Sequence, residues 1–169
     1  KYFDGKVPEK SNLNELDKHV LSELPKFPAT IWESLEKYRF REALAELMNL
    51  ARLGNKYLTD SEPWKKIKED ENIVRTILNI SLQICANLSI LSKPFLPFSA
   101  TKLVEMLNIP ELKWSDAGND DILIAGHQLN KASYLFEKIE DKEIDKQLQK
   151  LLNTKKANEA EEKNVEPGK

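Results

Sequence analysis

The chain has 169 residues, 40% of them hydrophobic, which suits one globular domain with a sizeable core. A formal net charge of −2 excludes a broad phosphate-binding surface, because neutralising phosphates takes clustered Lys and Arg, so any nucleic-acid contact must be local. The lone Cys85 sits among Ile84, Ala86 and Leu88 with no disulfide partner, which points to a reducing, cytoplasmic setting. No signal peptide is visible, and the most apolar stretch, residues 73–91, is interrupted by Arg75, Asn79, Gln83 and Asn87, so it does not read as a membrane span. The chain starts at Lys1 rather than at a methionine, which implies that it begins inside a longer protein.

Residues 1–10 carry Asp4-Gly5 and Val7-Pro8 and read as a loop. Leu13, Leu16, Val20, Leu21 and Leu24 then recur at three- and four-residue spacing, the stripe of an amphipathic helix. Pro25 and Pro28 interrupt it, since proline lacks the amide hydrogen and disfavours helix in the residue before it. Ile31, Leu35 and Trp32 continue a helical face. Phe40, Leu44, Leu47, Ala51 and Gly54 trace a stripe through a second long helix, with Gly54 placed for close packing. Thr59-Asp60-Ser61-Glu62-Pro63 ends that run, and Trp64 falls near the start of a short helix, where a preceding proline is tolerated.

Glu69, Asp70 and Glu71 mark the N-terminus of the next helix, residues 73–92, because negative charge suits the positive end of the helix dipole. Its apolar residues wrap more than one face, so it should be the central helix. Lys93-Pro94-Phe95-Leu96-Pro97 breaks the chain, and Ala100, Leu103, Val104 and Leu107 form another helix that stops before Pro110. Residues 111–126 read as irregular, with Ile122-Leu123-Ile124 as a short extended piece. From Tyr134 onward Leu135, Ile139, Ile144, Leu148, Leu151 and Leu152 suggest one or two final helices. Residues 153–169 lack such a stripe and read as a flexible, solvated linker or tail, leaving residues 1–152 as the folded domain. The pattern as a whole is all-α, an antiparallel helical bundle.

Little in the chain reads as catalysis. His19 and His127 are far apart and Cys85 lies in an apolar helix, so no metal site is legible; no Gly-rich phosphate loop follows a strand. His19 reads as an exposed helical residue, and His127, after Gly126 in a loop, as a structural hydrogen-bonding residue. No catalytic residue is assigned. Of the three tryptophans, Trp32 fits the core or helix packing and Trp114 fits a loop clamp. Trp64 stands apart, for Ser61, Glu62, Lys65 and Lys66 surround it and Ile67 is its one strong apolar neighbour along a helix. On the residues alone it is either a hydrophobic anchor at a helix end, the commoner case, or an exposed platform for a ligand. Arg52, Lys56, Lys65, Lys66 and Lys68 against Asp60 and Glu62 give this stretch three surplus positive charges, which a solvated helix face would also explain.

The order and spacing of Tyr38-Arg39-Phe40-Arg41-Glu42-Ala43-Leu44, Asn55-Lys56-Tyr57 and Pro63-Trp64, supported by Lys93-Pro94-Phe95-Leu96-Pro97 and Gly126-His127, resemble the C-terminal anticodon-binding domain of methionyl-tRNA synthetases. The likeness runs from residue 1 to about residue 152. It implies an all-α bundle of the class I synthetase anticodon-binding type. It also implies an RNA site at Trp64, Pro63, Lys65 and Lys66, with the indole stacking on an anticodon base and the proline shaping its pocket. In that family an Asn and an Arg on the helix before the segment matching Lys1-Tyr2-Phe3 read the base edges; that helix is absent here, so the resemblance implies weak, poorly selective RNA binding by this chain alone.

The same resemblance implies that the full-length protein is a methionine-tRNA ligase with ATP, and optionally zinc, in a catalytic region outside this chain, which is itself inactive and holds no cofactor. The partners implied are a methionine-accepting tRNA with a CAU anticodon, the catalytic domain of the same chain and, through a further C-terminal OB-fold domain, a second copy; no membrane is implied. The alternatives are the anticodon domain of another class I synthetase, or a helical protein-interaction module in which Trp64 anchors a partner.

Overall fold

The computed structural model describes residues 2–164, with side-chain environments through residue 160, in two units, Lys1–Leu135 and Phe136–Lys169. Helix α1 (Glu15–Glu23) opens with a capping box: the Asn14 side chain accepts from the Asp17 amide at 3.0 Å, and the Asp17 carboxylate accepts from the Asn14 amide at 2.9 Å. Pro25 has no amide to extend the helix, and the chain restarts as α2 (Lys26–Glu36). Tyr38, at φ 57°, turns the chain into α3 (Phe40–Ser61). The buried face of α3 is Ala43, Leu47, Leu50 and Tyr57, rotated from the stripe expected from sequence, which leaves Phe40 and Leu44 exposed. The sequence pattern is ambiguous here because α3 is apolar over a wider arc than the core covers.

A short α4 (Pro63–Lys66) leads into α5 (Glu71–Leu91), whose N-cap is Asp70: its carboxylate accepts from the Asn72 and Ile73 amides at 2.9 and 3.3 Å. α5 is the central helix. Ile77, Ile80, Ile84 and Leu91 join Val20, Leu24, Ile31, Ala43, Leu47, Leu50 and Tyr57 in the main core. On another side Ala86 joins Val7, Leu107 and Leu123 in a second cluster under α6 (Pro97–Leu107). By length and mean hydropathy α5 could cross a membrane, yet most of it is buried inside the bundle. Gly54 brings α3 close: a Cβ there would meet Ile84 Cγ2 at 3.1 Å.

A third side of α5 is polar and buried. Thr76, Asn79, Gln83 and Asn87 recur at three- and four-residue spacing and bond the backbone of segments that have no helix of their own. Thr76 Oγ1 donates to Ser11 O at 2.7 Å, and the Asn79 amide donates to Pro8 O at 2.8 Å. The Gln83 amide donates to Leu123 O at 2.8 Å and accepts from Leu123 N at 3.0 Å. Asn87 donates to Asn119 O at 2.8 Å and accepts from Gly118 N at 2.5 Å. These side chains take the role that a strand ladder plays elsewhere.

Among the described residues no strand forms, and residues 122–124 are held by Gln83 rather than by a sheet; one isolated antiparallel bridge joins Lys6 to Gln128. Gly126 N donates to Val7 O at 2.8 Å, Val7 N donates to His127 O at 2.9 Å, and the His127 Nε2 lies 2.8 Å from Leu107 O. His127 is therefore a structural bracket between the N-terminal loop and the end of α6. Trp114 begins a single 3-10 turn, Trp114–Asp116, and meets Trp32 with ring centroids 5.7 Å apart. Trp32 itself is half-exposed: Ile31 occupies the inward position of α2, and the neighbouring Trp32 lies at the rim.

In the second unit, α7 (Asp141–Asn164) is one continuous helix whose side chains are exposed through residue 160, Ile144, Leu148, Leu151 and Leu152 among them. It runs through position 153, where the composition changes, and residues 165–169 lie outside the described residues.

Candidate nucleic-acid interface

The stretch around Trp64 is built by a conflict between two helices. Pro63 cannot donate an amide and disfavours the right-handed helical conformation at Glu62, so α3 must end before it. Glu62 takes the left-handed conformation, φ 46° and ψ 54°, which costs a non-glycine residue roughly 1–2 kcal/mol. Its hydrogen bonds survive the turn. The Glu62 amide donates to Leu58 O at 3.1 Å, and its carbonyl accepts from the Lys65 and Lys66 amides at 3.0 and 3.3 Å. One residue thus closes α3 and opens α4.

Behind this turn the structure is buried and bonded. The Tyr57 hydroxyl, inside the core, donates to Asp17 Oδ1 at 2.7 Å, tying α3 to the cap of α1. Burial first, and then the Asp17 carboxylate, push the Tyr57 hydroxyl well above its ordinary pKa, while Ser61 bonds to it and acts in the opposite direction. Ser61 and Pro63 are buried as well. Trp64, one residue later, is 60% exposed. With Pro63 packed inward and the indole outward, the ring presents an aromatic surface at the edge of a rigid corner.

The two lysines that follow differ. Lys65 Nζ lies 2.7 Å from Glu62 Oε1, an exposed pair, whereas Lys66 is half-buried and, like Lys68, forms no ion pair among the described residues. Lys56 is likewise paired, to Asp60 at 2.7 Å, and Arg52 donates to Asn49 Oδ1 at 2.8 Å. The local positive charge available to an anion is smaller than the count of basic residues suggests. The arrangement can stack a planar ring and attract a phosphate.

Sequence reasoning missed Glu62 as the residue that sets this corner; a residue preceding proline at the end of a long helix was the available signal. Among the described residues no group of three or more His, Cys, Asp or Glu could hold a metal. Cys85 is largely enclosed, and burial raises its thiol above the ordinary range.

A family model described as the anticodon binding domain of methionyl tRNA ligase matches residues 7–156. The chain is 55% identical to the methionine-tRNA ligase of Bacteroides fragilis over 94% of its own length and 23% of that protein's. To the methionine-tRNA ligase of Phocaeicola vulgatus it is 56% identical over 95% of its length and 24% of that protein's. It therefore spans about a quarter of these relatives. In fold it is similar to the methionyl-tRNA synthetase of Mycobacterium tuberculosis in its free state, with TM-score 0.74, 20% identity, and coverage of 83% of this chain and 29% of that one.

Proposed function

The chain belongs to the family of anticodon-binding domains of methionyl tRNA ligase, and from that premise we propose that it holds the anticodon of a methionine-accepting tRNA, CAU, for a full-length enzyme that joins methionine to that tRNA with ATP. The observation that carries the site is Trp64, exposed on a corner where Ser61 and Pro63 are buried. Its indole stacks on an anticodon base, Pro63 forms the wall behind it, and Lys66 and Lys65 meet the phosphates on either side. Stacking of this kind is worth roughly 1–3 kcal/mol per base and does not distinguish one base from another. Base identity is then read by hydrogen-bonding groups outside this chain.

Activation of methionine, with its ATP and any zinc, takes place in a catalytic region beyond this chain, so the chain supplies recognition and no chemistry. The protein acts in the cytoplasm, and pairing with a second copy uses a further domain beyond residue 169. The family match and the two ligase relatives favour this reading over a protein-interaction module.

The deciding experiment is Trp64→Ala in the full-length protein, followed by melting, methionine activation and tRNA charging. Charging should fall about 5- to 150-fold in kcat/KM for tRNA, the equivalent of a lost stacking partner, with activation unchanged. A variant that loses stability instead, with charging intact at temperatures where it is folded, makes Trp64 a structural anchor.

A further inference from the structure

We propose that Glu62 is a positioning residue for Trp64: its left-handed backbone sets the direction in which the indole leaves the bundle, and thereby how well the ring meets a base. The inference rests on the reading of Trp64 as an RNA-stacking platform.

The backbone argument begins with the residue type. Asp4, Asn12 and Asn108 also have positive φ, but Asp and Asn tolerate that conformation far better than a long or bulky side chain does, so Glu62 and Tyr38 are the two costly cases. A left-handed Glu persists only where its surroundings over-determine it. At Glu62 they do. Pro63 disfavours the right-handed alternative, which Leu24 before Pro25 nonetheless adopts; Tyr57 and Ser61 fix the last turn of α3 in the core, and Pro63 itself is buried. The conformation most favoured for a residue before proline is extended, with φ near about −120°. Moving Glu62 there from φ 46° and ψ 54° would change both torsions and redirect the chain after it, Pro63 and Trp64 first.

The side chain contributes little to this. Its pair with Lys65 is exposed on both sides, and such pairs are weak. The positioning role therefore belongs to the backbone, and residues should be ranked at position 62 by how readily they adopt the left-handed conformation. Glycine adopts it freely, asparagine tolerably, and a β-branched residue worst.

The test uses the full-length protein with Glu62→Gly, Glu62→Asn, Glu62→Gln, Glu62→Val, Trp64→Ala and the Glu62→Val/Trp64→Ala double variant. Melting, methionine activation, and KM and kcat for tRNA charging are measured for each. Gly, Asn and Gln should keep charging within about twofold of the parent. Val should raise the KM for tRNA toward the about 5- to 150-fold loss expected of Trp64→Ala, with activation unchanged. The double variant should charge no worse than Trp64→Ala alone, because a displaced ring that is absent cannot be displaced.

Equal losses from Val in the presence and absence of Trp64 overturn the proposal, as does a loss of tenfold or more in a well-folded Glu62→Gly, which fails to need the conformation, or in Glu62→Gln, which assigns the effect to the carboxylate. If the Val variant does not fold, the Gly and Gln outcomes still decide. Should Trp64→Ala leave tRNA charging untouched, the platform reading falls; should it impair charging while a folded Glu62→Val does not, only the positioning role of Glu62 falls.

Discussion

Two regions of this bundle break the pattern of their own segment in opposite senses. In α5, polar residues interrupt the most apolar stretch of the chain, and they face inward. At the α3–α4 corner a tryptophan interrupts a polar stretch, and it faces outward. An exception to local periodicity thus marks a residue whose partner lies elsewhere in the chain or outside it. Thr76, Asn79, Gln83 and Asn87 find partners in the backbone of residues 8–11 and 118–123. Trp64 stays 60% exposed.

The comparison would break if polar exceptions were dispensable, and Gln83→Leu is the strongest attack on it. The substitution orphans both the N–H and the C=O of the buried Leu123, at roughly 1–3 kcal/mol for each such group. We expect a net loss of about 2–4 kcal/mol, a fall of roughly 5–15 °C in Tm by calorimetry. A variant that melts with the parent would mean that water or a rearranged loop replaces the Gln83 bonds.

Tyr57→Phe comes next, with an expected loss of about 1.5–3 kcal/mol for a bond to a charged partner inside the core. It also has a pH signature. Because the folded-state pKa of Tyr57 is raised, its contribution is fully present below the unfolded value of 10.0 and is lost as pH rises above it, when the unfolded chain ionises and the folded chain does not. The stability gap between parent and Tyr57→Phe, measured by urea denaturation, should therefore narrow above about pH 10. A gap that stays constant from neutral pH to pH 11 would remove the linkage.

Trp64→Ala should have the smallest effect on folding, about 1 kcal/mol, since the residue is 60% exposed. A loss approaching the roughly 3–5 kcal/mol of a core Trp→Ala would erase the contrast between the two regions. Chemical denaturation of the chain alone reads it directly.

Element ends were the most legible part of the sequence. Asp70 and Glu71 announced the start of α5, Pro25 the break after α1, Gly54 the close approach to Ile84, and Gly126-His127 a structural bracket. The first two rest on chemistry within a few residues; for Gly54 and His127 the residue type was legible and the partner was not. The inward face of α3 and the half-exposed position of Trp32 were not legible, because which side of an apolar arc is covered depends on where α5 and Trp114 lie. Asn79, Gln83 and Asn87 were read only as interruptions of an apolar stretch. Their spacing was visible; their partners, 31 to 71 positions away, were not. At the candidate site Pro63 and Trp64 stood out by type, while the left-handed Glu62 is a property of the folded backbone.

The polar side of α5 also has a kinetic meaning. The backbone of residues 8–11 and 118–123 has side-chain partners that exist as an array only once α5 is helical, since only then do Thr76, Asn79, Gln83 and Asn87 line up. Closing such long loops costs chain entropy that no local contact repays. We expect the helices to assemble before the irregular segments lock onto them, so that amide protection of residues 118–123 in pulse-labelled refolding lags that of α5.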